Sequence, residues 1–493
     1  MRAILLLLAV SLGSTWNLSA RTWTQAATGK EIVADLIKVE DGKVHLKLQD
    51  GRVGQVEVIS LSLEDQEFIR EYEAKSMAAP TAAGASGSSE GEWPNFRGPN
   101  FDGISTDTGL LKSWPSDGPE KLWVYDEAGM GYSGVSISGG KLFTAGTRGD
   151  EVTVVCVDIS SGEEVWSTKI GTDDEKGYNA NWGRGPRSTP TVSDGHVYAL
   201  GPKGAFACLN ADDGEIVWEK NLVGDFGGKP GGWGYSESPF VDGDKVIIGP
   251  GGSSSPVVAL DKKTGEIIWT ASDFEVGKGK AEYANIVPLQ LNEKLQYLRL
   301  FSNQLVSLDS ESGDLLWTTE WPGENTPAVI PTPIADGNEV LIASGYGVGS
   351  KLVSVDSANK ASDVWQEKTL KVKHGGMIKF GDHVYGSSEG EGLVSLDWET
   401  GELAWNEKGQ FFGSTDSVAI ADGMLYVLND SSGTLTLVTA TPDDFEQKGQ
   451  FTMEPQSNQR HPDGKVWTYP VVIGGVLYLR DQEIVIAYDV SAQ

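Results

Sequence analysis

Two cysteines among 493 residues, Cys156 and Cys208, are too few to staple a small fold, so stability must come from a hydrophobic core. Basic residues are scarce too: 39 Lys and Arg stand against 70 Asp and Glu, a net charge of −31. So acidic a chain lacks the positive surface that nucleic acid or anionic lipid demands, and neither is expected as a partner. No long apolar run follows residue 20, which leaves no membrane span. The five histidines come without an H-E-x-x-H, and there is no G-x-S-x-G, so the zinc-protease and serine-hydrolase signatures are missing. Neither cysteine belongs to a C-x-x-C-H haem attachment sequence. What the chain does have is 16 Trp, 62 Gly and many β-branched residues, the composition of an ordered all-β chain with many turns.

Residues 1–20 read as an export signal. Arg2 gives the positive start, 4–10 the apolar stretch and Leu18-Ser19-Ala20 the small-residue cleavage site. The mature chain is therefore expected to begin at Arg21 and to be periplasmic or extracellular, without a lipid anchor because no cysteine follows the apolar stretch. Residues 21–75 form a small first domain. Strands are expected over 31–39, 43–49 and 53–59, with Asp41-Gly42 and Asp50-Gly51 as hairpin turns. Ser62 and Asp65 form a capping pair for a short helix over 63–72, and Trp23 reads as core. Residues 76–92, small and rich in Ala, Gly, Ser and Pro, read as a flexible tether.

The rest, 93–493, repeats a strand-turn-strand unit that ends in tryptophan. The clearest copy is VVALDKKTGEIIW, ending at Trp269. In five copies an Asp or Asn stands eight residues before the Trp: 158 to 166, 210 to 218, 261 to 269, 309 to 317 and 397 to 405. A sixth, ending at Trp365, is one residue longer and lacks the turn glycine; a seventh is degenerate and ends at Phe451. An eighth, IVIAYDV, stops before its second strand. Each copy follows a two-strand hairpin such as TPTVSDGHVYALG, so each unit is a four-stranded blade, and eight blades make a closed ring. The outer strand missing from the last blade is present upstream as EKLWVYD, with Trp123 in the repeat's Trp position. Cys156 and Cys208 occupy matching positions in successive units. Such positions usually lie beyond the ~7 Å that a disulfide allows, so two buried free thiols are expected.

These copies resemble the tryptophan-docking repeats of quinoprotein dehydrogenases and of BamB-type propellers. WPNFRGPNFDGIS, GWGYSESPFVDGDKVI, KHGG and LYLRDQ resemble exported PQQ-binding-like repeat proteins. The resemblance implies an eight-bladed, all-β propeller. The first domain resembles the first homology domain of the Sla-one adaptor, which implies an SH3-like peptide- or protein-binding module. The repeat Trp and Asp are expected to build the ring and perform no chemistry.

Function in such a ring gathers where an outer strand crosses to the next inner strand. The crossings offer Trp182, Arg184, Arg187, Trp233, Tyr235, Glu237, Glu282, Lys373, His374, Asp416 and Trp467 as ligand-binding candidates at the channel mouth. Aromatic faces beside Arg and carboxylates suit a planar anion or a peptide. The expected function is an exported, non-catalytic, monomeric scaffold that binds protein or peptide partners, with no cofactor, metal or catalytic residue. The alternative is an alcohol or sugar dehydrogenase using PQQ and Ca2+, with Glu237, Glu282 and Asp416 as possible ligands or base. Against it, the sequence has no vicinal cysteine pair.

Overall fold

The computed structural model describes residues 21–25, 30–40, 43–48, 52–62, 65–66, 68–69, 91–409 and 412–492. The expected export signal with its cleavage after Ala20, residues 76–90 of the expected tether and most of the expected helix over 63–72 lie outside them. The chain divides into two compact units at residues 80 and 81.

The first unit holds one antiparallel four-stranded meander: Arg21–Thr24, Glu31–Glu40, Lys43–Leu48 and Val53–Glu57. The first of these strands was not anticipated; it is only four residues long, too short for an alternation to declare itself. Trp23 is fully buried with Val44, Leu46, Leu61 and Ile69, and its indole N–H donates to the Ala34 carbonyl at 3.0 Å. Ser62 and Asp65 cap each other: the Asp65 N–H donates to Ser62 Oγ at 3.1 Å and the Ser62 hydroxyl to Asp65 Oδ2 at 2.7 Å.

The second unit is the eight-bladed propeller. Blades 1 to 7 span residues 136–172, 191–221, 240–271, 287–320, 334–367, 377–407 and 417–452. Blade 8 takes three strands from 471–489 and its outer strand from Glu120–Tyr125, with Trp123 opposite Ala487. The hydrophobic cores lie between blades: Phe143, Val154, Cys156 and Trp166 of blade 1 pack on Val197, Ala199 and Leu209 of blade 2. Cys156 and Cys208 are both buried free thiols. The blade 8–blade 1 seam is fastened by the buried Arg480, which donates to the carbonyls of Ser133, Ala145 and Gly129, each at 2.9 Å.

One device repeats around the ring. In blade 3, Ala259 pairs with Trp269 and Leu260 with Ile267, so Ile268 is a bulge residue. The bulge breaks strict alternation. It turns Trp269 inward while Ile267 and Ile268 both stay outside, at 57% and 45% exposure. The indole then reaches the next blade's turn. Trp123, Trp166, Trp218, Trp269 and Trp365 donate to the carbonyls of Ile159, Ala211, Lys262, Ser310 and Trp398, each the residue after the turn Asp or Asn. The turn Asp caps its own hairpin: Asp261 Oδ1 accepts from the N–H groups of Lys263 and Thr264 at 2.9 and 2.8 Å. Trp317 and Trp405 depart from this: Trp317 faces the longer blade 5 turn that lacks glycine and donates to Gln296 Oε1 at 2.9 Å, and Trp405 faces the degenerate blade 7 turn and donates to the Thr441 carbonyl at 2.8 Å.

Candidate ligand-binding cavity

Residues 93–105 run across the central channel, from the inner strand of blade 1 to that of blade 7. Trp93 bridges to Ile137 on the inner strand of blade 1, and the Val192 N–H of blade 2 donates to the Pro94 carbonyl at 2.7 Å. Phe101 packs on Phe240 of blade 3 at 5.0 Å. On the opposite side, Arg97 donates to the Met377 carbonyl of blade 6 at 2.9 Å, and Ile104–Ser105 pairs in parallel with the inner strand of blade 7. Gly103 is required here: its φ is +80° and a Cβ would come within 3.2 Å of Ile378. This segment floors the channel.

Above the floor lies a cavity of about 600 Å³, reaching the surface where Trp182 is 41% exposed. It is lined by the outer-to-inner crossings and by hairpin loops on the same face. Trp467 anchors one wall: it stacks on His374 at 4.2 Å with 10° between planes, and meets Tyr132 at 5.3 Å and Trp182 at 6.0 Å, tilted by 43° and 50°. Trp233 and Tyr283 form another wall at 6.2 Å and 63°. Phe96 of the floor meets Tyr469 of the crossing into blade 8 edge to face at 4.9 Å, and the Tyr469 hydroxyl donates to the His374 carbonyl at 2.6 Å. Arg187 is held rigidly. It donates to the Gly185 and Gly183 carbonyls at 2.8 and 2.9 Å and lies 5.5 and 5.2 Å from the rings of Tyr132 and Tyr178. Lys373 sits 4.8 Å from the Tyr346 ring and pairs with Glu389 at 2.9 Å. Burial pushes His374 down to about 4, with Lys373 and Arg187 adding to the depression and Asp430 opposing it, so the ring is neutral at pH 7.

Six of the eleven candidate positions line this cavity: Trp182, Arg187, Trp233, Lys373, His374 and Trp467. Five do not. Arg184 turns away to Asp150 at 3.1 Å, Glu175 at 3.3 Å and the Gly149 carbonyl at 2.6 Å. Tyr235 is buried between blades 2 and 3, donating to the Pro250 carbonyl at 2.8 Å. Glu237 is buried against Arg299 at 2.9 Å, and burial outweighs that guanidinium and raises its carboxyl to about 7. Glu282 accepts from the Val329 N–H at 3.4 Å, and burial raises it as well. Asp416 accepts from Gly413 N–H at 2.5 Å, Asp430 N–H at 3.1 Å and the Asn429 amide at 3.2 Å; burial pushes it up to about 7. Tyr235, Glu237, Glu282 and Asp416 are thus buried and bonded within the protein, and Arg184 is tied to surface carboxylates.

The sequence candidates omitted Phe96, Tyr132, Tyr346, Asp430, Lys465 and Tyr469, all of which line the cavity. Tyr132 had a signal. It lies on the crossing into blade 1, visible once Glu120–Tyr125 is taken as the outer strand of blade 8. Lys465 and Tyr469 flank Trp467 two residues either side. Tyr346 and Asp430 come from hairpin loops within blades 5 and 7, which carry no shared pattern.

Eight blades, seven of them closed by a repeat tryptophan, around a floored channel define an eight-bladed propeller with a cavity at its centre. The family described as "Outer membrane protein assembly factor BamB" matches residues 150–407, more than half of the 493, and the chain belongs to that family. The family described as "SLA1 homology domain 1" matches residues 17–77. BamB of Salmonella typhimurium is 25% identical over 338 residues, covering 65% of this chain and 76% of that protein. Among solved structures, BamB from Moraxella catarrhalis aligns with a TM-score of 0.55 at 15% identity, covering 75% of this chain and 99% of its own. The quinohemoprotein alcohol dehydrogenase from Comamonas testosteroni aligns at 0.56 and 14%, covering 84% of each chain. These two likenesses concern the fold.

The residues of the cavity do not fit a calcium-bound quinone. Its lining holds a single carboxylate, Asp430, already bonded by the Ser431 hydroxyl at 2.7 Å and by Thr415. A calcium ion takes ~6–8 oxygen ligands, with carboxylates prominent among them. Among the described residues no cluster of three or more His, Cys, Asp or Glu could hold a metal. Cys156 and Cys208 lie in two separate cores, between blades 1 and 2 and between blades 2 and 3.

Proposed function

We propose that the chain is an exported, non-catalytic binding scaffold of the cell envelope, whose propeller takes a small ligand in the floored cavity while its surface and the tethered first domain engage protein or peptide partners. The observation that carries the reading is the lining itself: tilted aromatic rings and the cations Arg187, Lys373 and Lys465, with Asp430 the one carboxylate, engaged by the Ser431 and Thr415 hydroxyls. Such a surface can hold and orient a ligand. Three further observations support the reading: the apolar start of the sequence, the relatives named as outer membrane assembly factors, and the lack of any helix among the described residues long and apolar enough to cross a membrane. Two contacts on one tether would gain avidity through effective concentration.

The test is incubation of the purified chain with PQQ and Ca2+, followed by quinone absorbance and dye reduction with a panel of alcohols and sugars. Neither stoichiometric quinone uptake nor dye reduction is expected. Turnover would overturn the scaffold reading in favour of the dehydrogenase alternative.

A further inference from the structure

Resting on the reading of the cavity as a ligand site, we infer that it receives the end of an acidic oligosaccharide chain, with a uronate carboxylate on Arg187 and the pyranose rings against Trp182, Trp233 and Trp467.

Charge is the first reason. The chain as a whole is −31, yet the cavity carries three cations and one carboxylate. Lys373 is paired with Glu389 at 2.9 Å and Lys465 lies 3.8 Å from Asp430. Arg187 makes no ion pair among the described residues; it meets carbonyl oxygens and ring faces, and each terminal nitrogen keeps a second N–H beyond its carbonyl bond with which to meet a carboxylate.

Shape is the second. A flat aromatic ligand wants parallel plates, but the rings here are tilted by 43°, 50° and 63°. The one parallel pair, His374 on Trp467 at 4.2 Å, is already closed on itself. Tilted plates form a bowl, which suits puckered rings that offer C–H faces. Ser236 and Ser414 line the same cavity with hydroxyls of the kind a polyol needs, beside Asn285 and Thr332, which bond each other at 3.0 Å. A peptide would instead want a free strand edge, and residues 93–105 already occupy the inner edges at Ile137, Val192 and Ile420.

The floor is the third. Closed from below by residues 93–105, the cavity admits a chain only end-on and cannot be threaded.

The experiment is calorimetry and tryptophan fluorescence on the full chain with trigalacturonate, neutral galactotriose, hexaglutamate and PQQ as probes. Trigalacturonate is expected to bind at least about tenfold more tightly than galactotriose, with affinity falling as salt rises. Arg187→Gln and Trp182→Ala should each weaken it about tenfold or more, the second with an unchanged Tm because Trp182 is 41% exposed. With longer oligogalacturonates, saturation should stay at one protein per chain. Equal affinity for the neutral trisaccharide, stoichiometry that grows with chain length, preference for hexaglutamate or PQQ, or no sugar binding would each overturn the inference. Dye reduction with PQQ would sink the scaffold reading separately, whatever the sugars do.

Discussion

In five of the turns the glycine four residues after the turn Asp or Asn answers two constraints, a positive φ and a close approach to an indole. Gly214 has φ +74°, and a Cβ there would lie 2.5 Å from the Trp166 ring; Gly162, Gly265, Gly313 and Gly401 face the preceding blade's indole in the same way at 2.6–2.9 Å. Gly139, at φ +58° with nothing within 4 Å, meets only the first constraint. Gly139→Ala is therefore expected to cost about 1 kcal/mol. Gly214→Ala should cost about 3 kcal/mol or more, as overpacking is added to strain, and thermal denaturation of the two variants separates the terms. His374 supplies a pH prediction. Its folded value of about 4 lies below the ordinary ~6.5, so between those limits the unfolded chain binds more protons. The His374 contribution to stability should thus fall as pH drops from 6.5 to 4, while the raised carboxyls of Glu237 and Asp416 act the opposite way in the same window. His374→Phe keeps the stack on Trp467 and removes that contribution, so denaturant titrations at pH 6.5 and 4 should differ between variant and parent by on the order of 2 kcal/mol, the variant losing less stability at the lower pH. At this scale the sequence was legible where residues recur at fixed spacing. Trp, Asp and Gly announce their roles because each is used the same way in several blades. Arg184 and Arg187 could not be told apart: they stand three residues apart on one loop, and only the path of the backbone sends one to Asp150 and the other to the cavity.

Among elements, the strand Glu120–Tyr125 and the segment 93–105 were read unequally. The strand could be recognised because it fills a gap in a counted series and carries the repeat's tryptophan. The segment could not be placed, because its partners are remote: Arg97 and Met377 are 280 residues apart, and no local pattern encodes such a contact. Trp123 donates to the Ile159 carbonyl at 2.8 Å and packs on Tyr478 at 5.9 Å, so it joins blade 8 to blade 1. Trp123→Ala should cost about 3–5 kcal/mol and leave a bare strand edge prone to aggregation, seen by light scattering during thermal unfolding. Leu122→Ala, at a side chain 47% exposed on the same strand, should stay within about 0.5 kcal/mol of the parent.

For the molecule as a whole, the number of blades followed from arithmetic on the repeats, whereas the cavity did not, because its lining is gathered from every blade and from the segment beneath it. The strand that fastens blade 8 is synthesised before any blade, and its partner comes 364 residues later, from Trp123 to Ala487 (487 − 123). Closing so long a loop is entropically costly and is rewarded only when every intervening sheet is in place. Circularisation thereby acts as an inspection of completeness. A polypeptide severed before residue 484 strands its own clasp and leaves a flank open to proteases, so truncated copies carry a built-in mark for disposal.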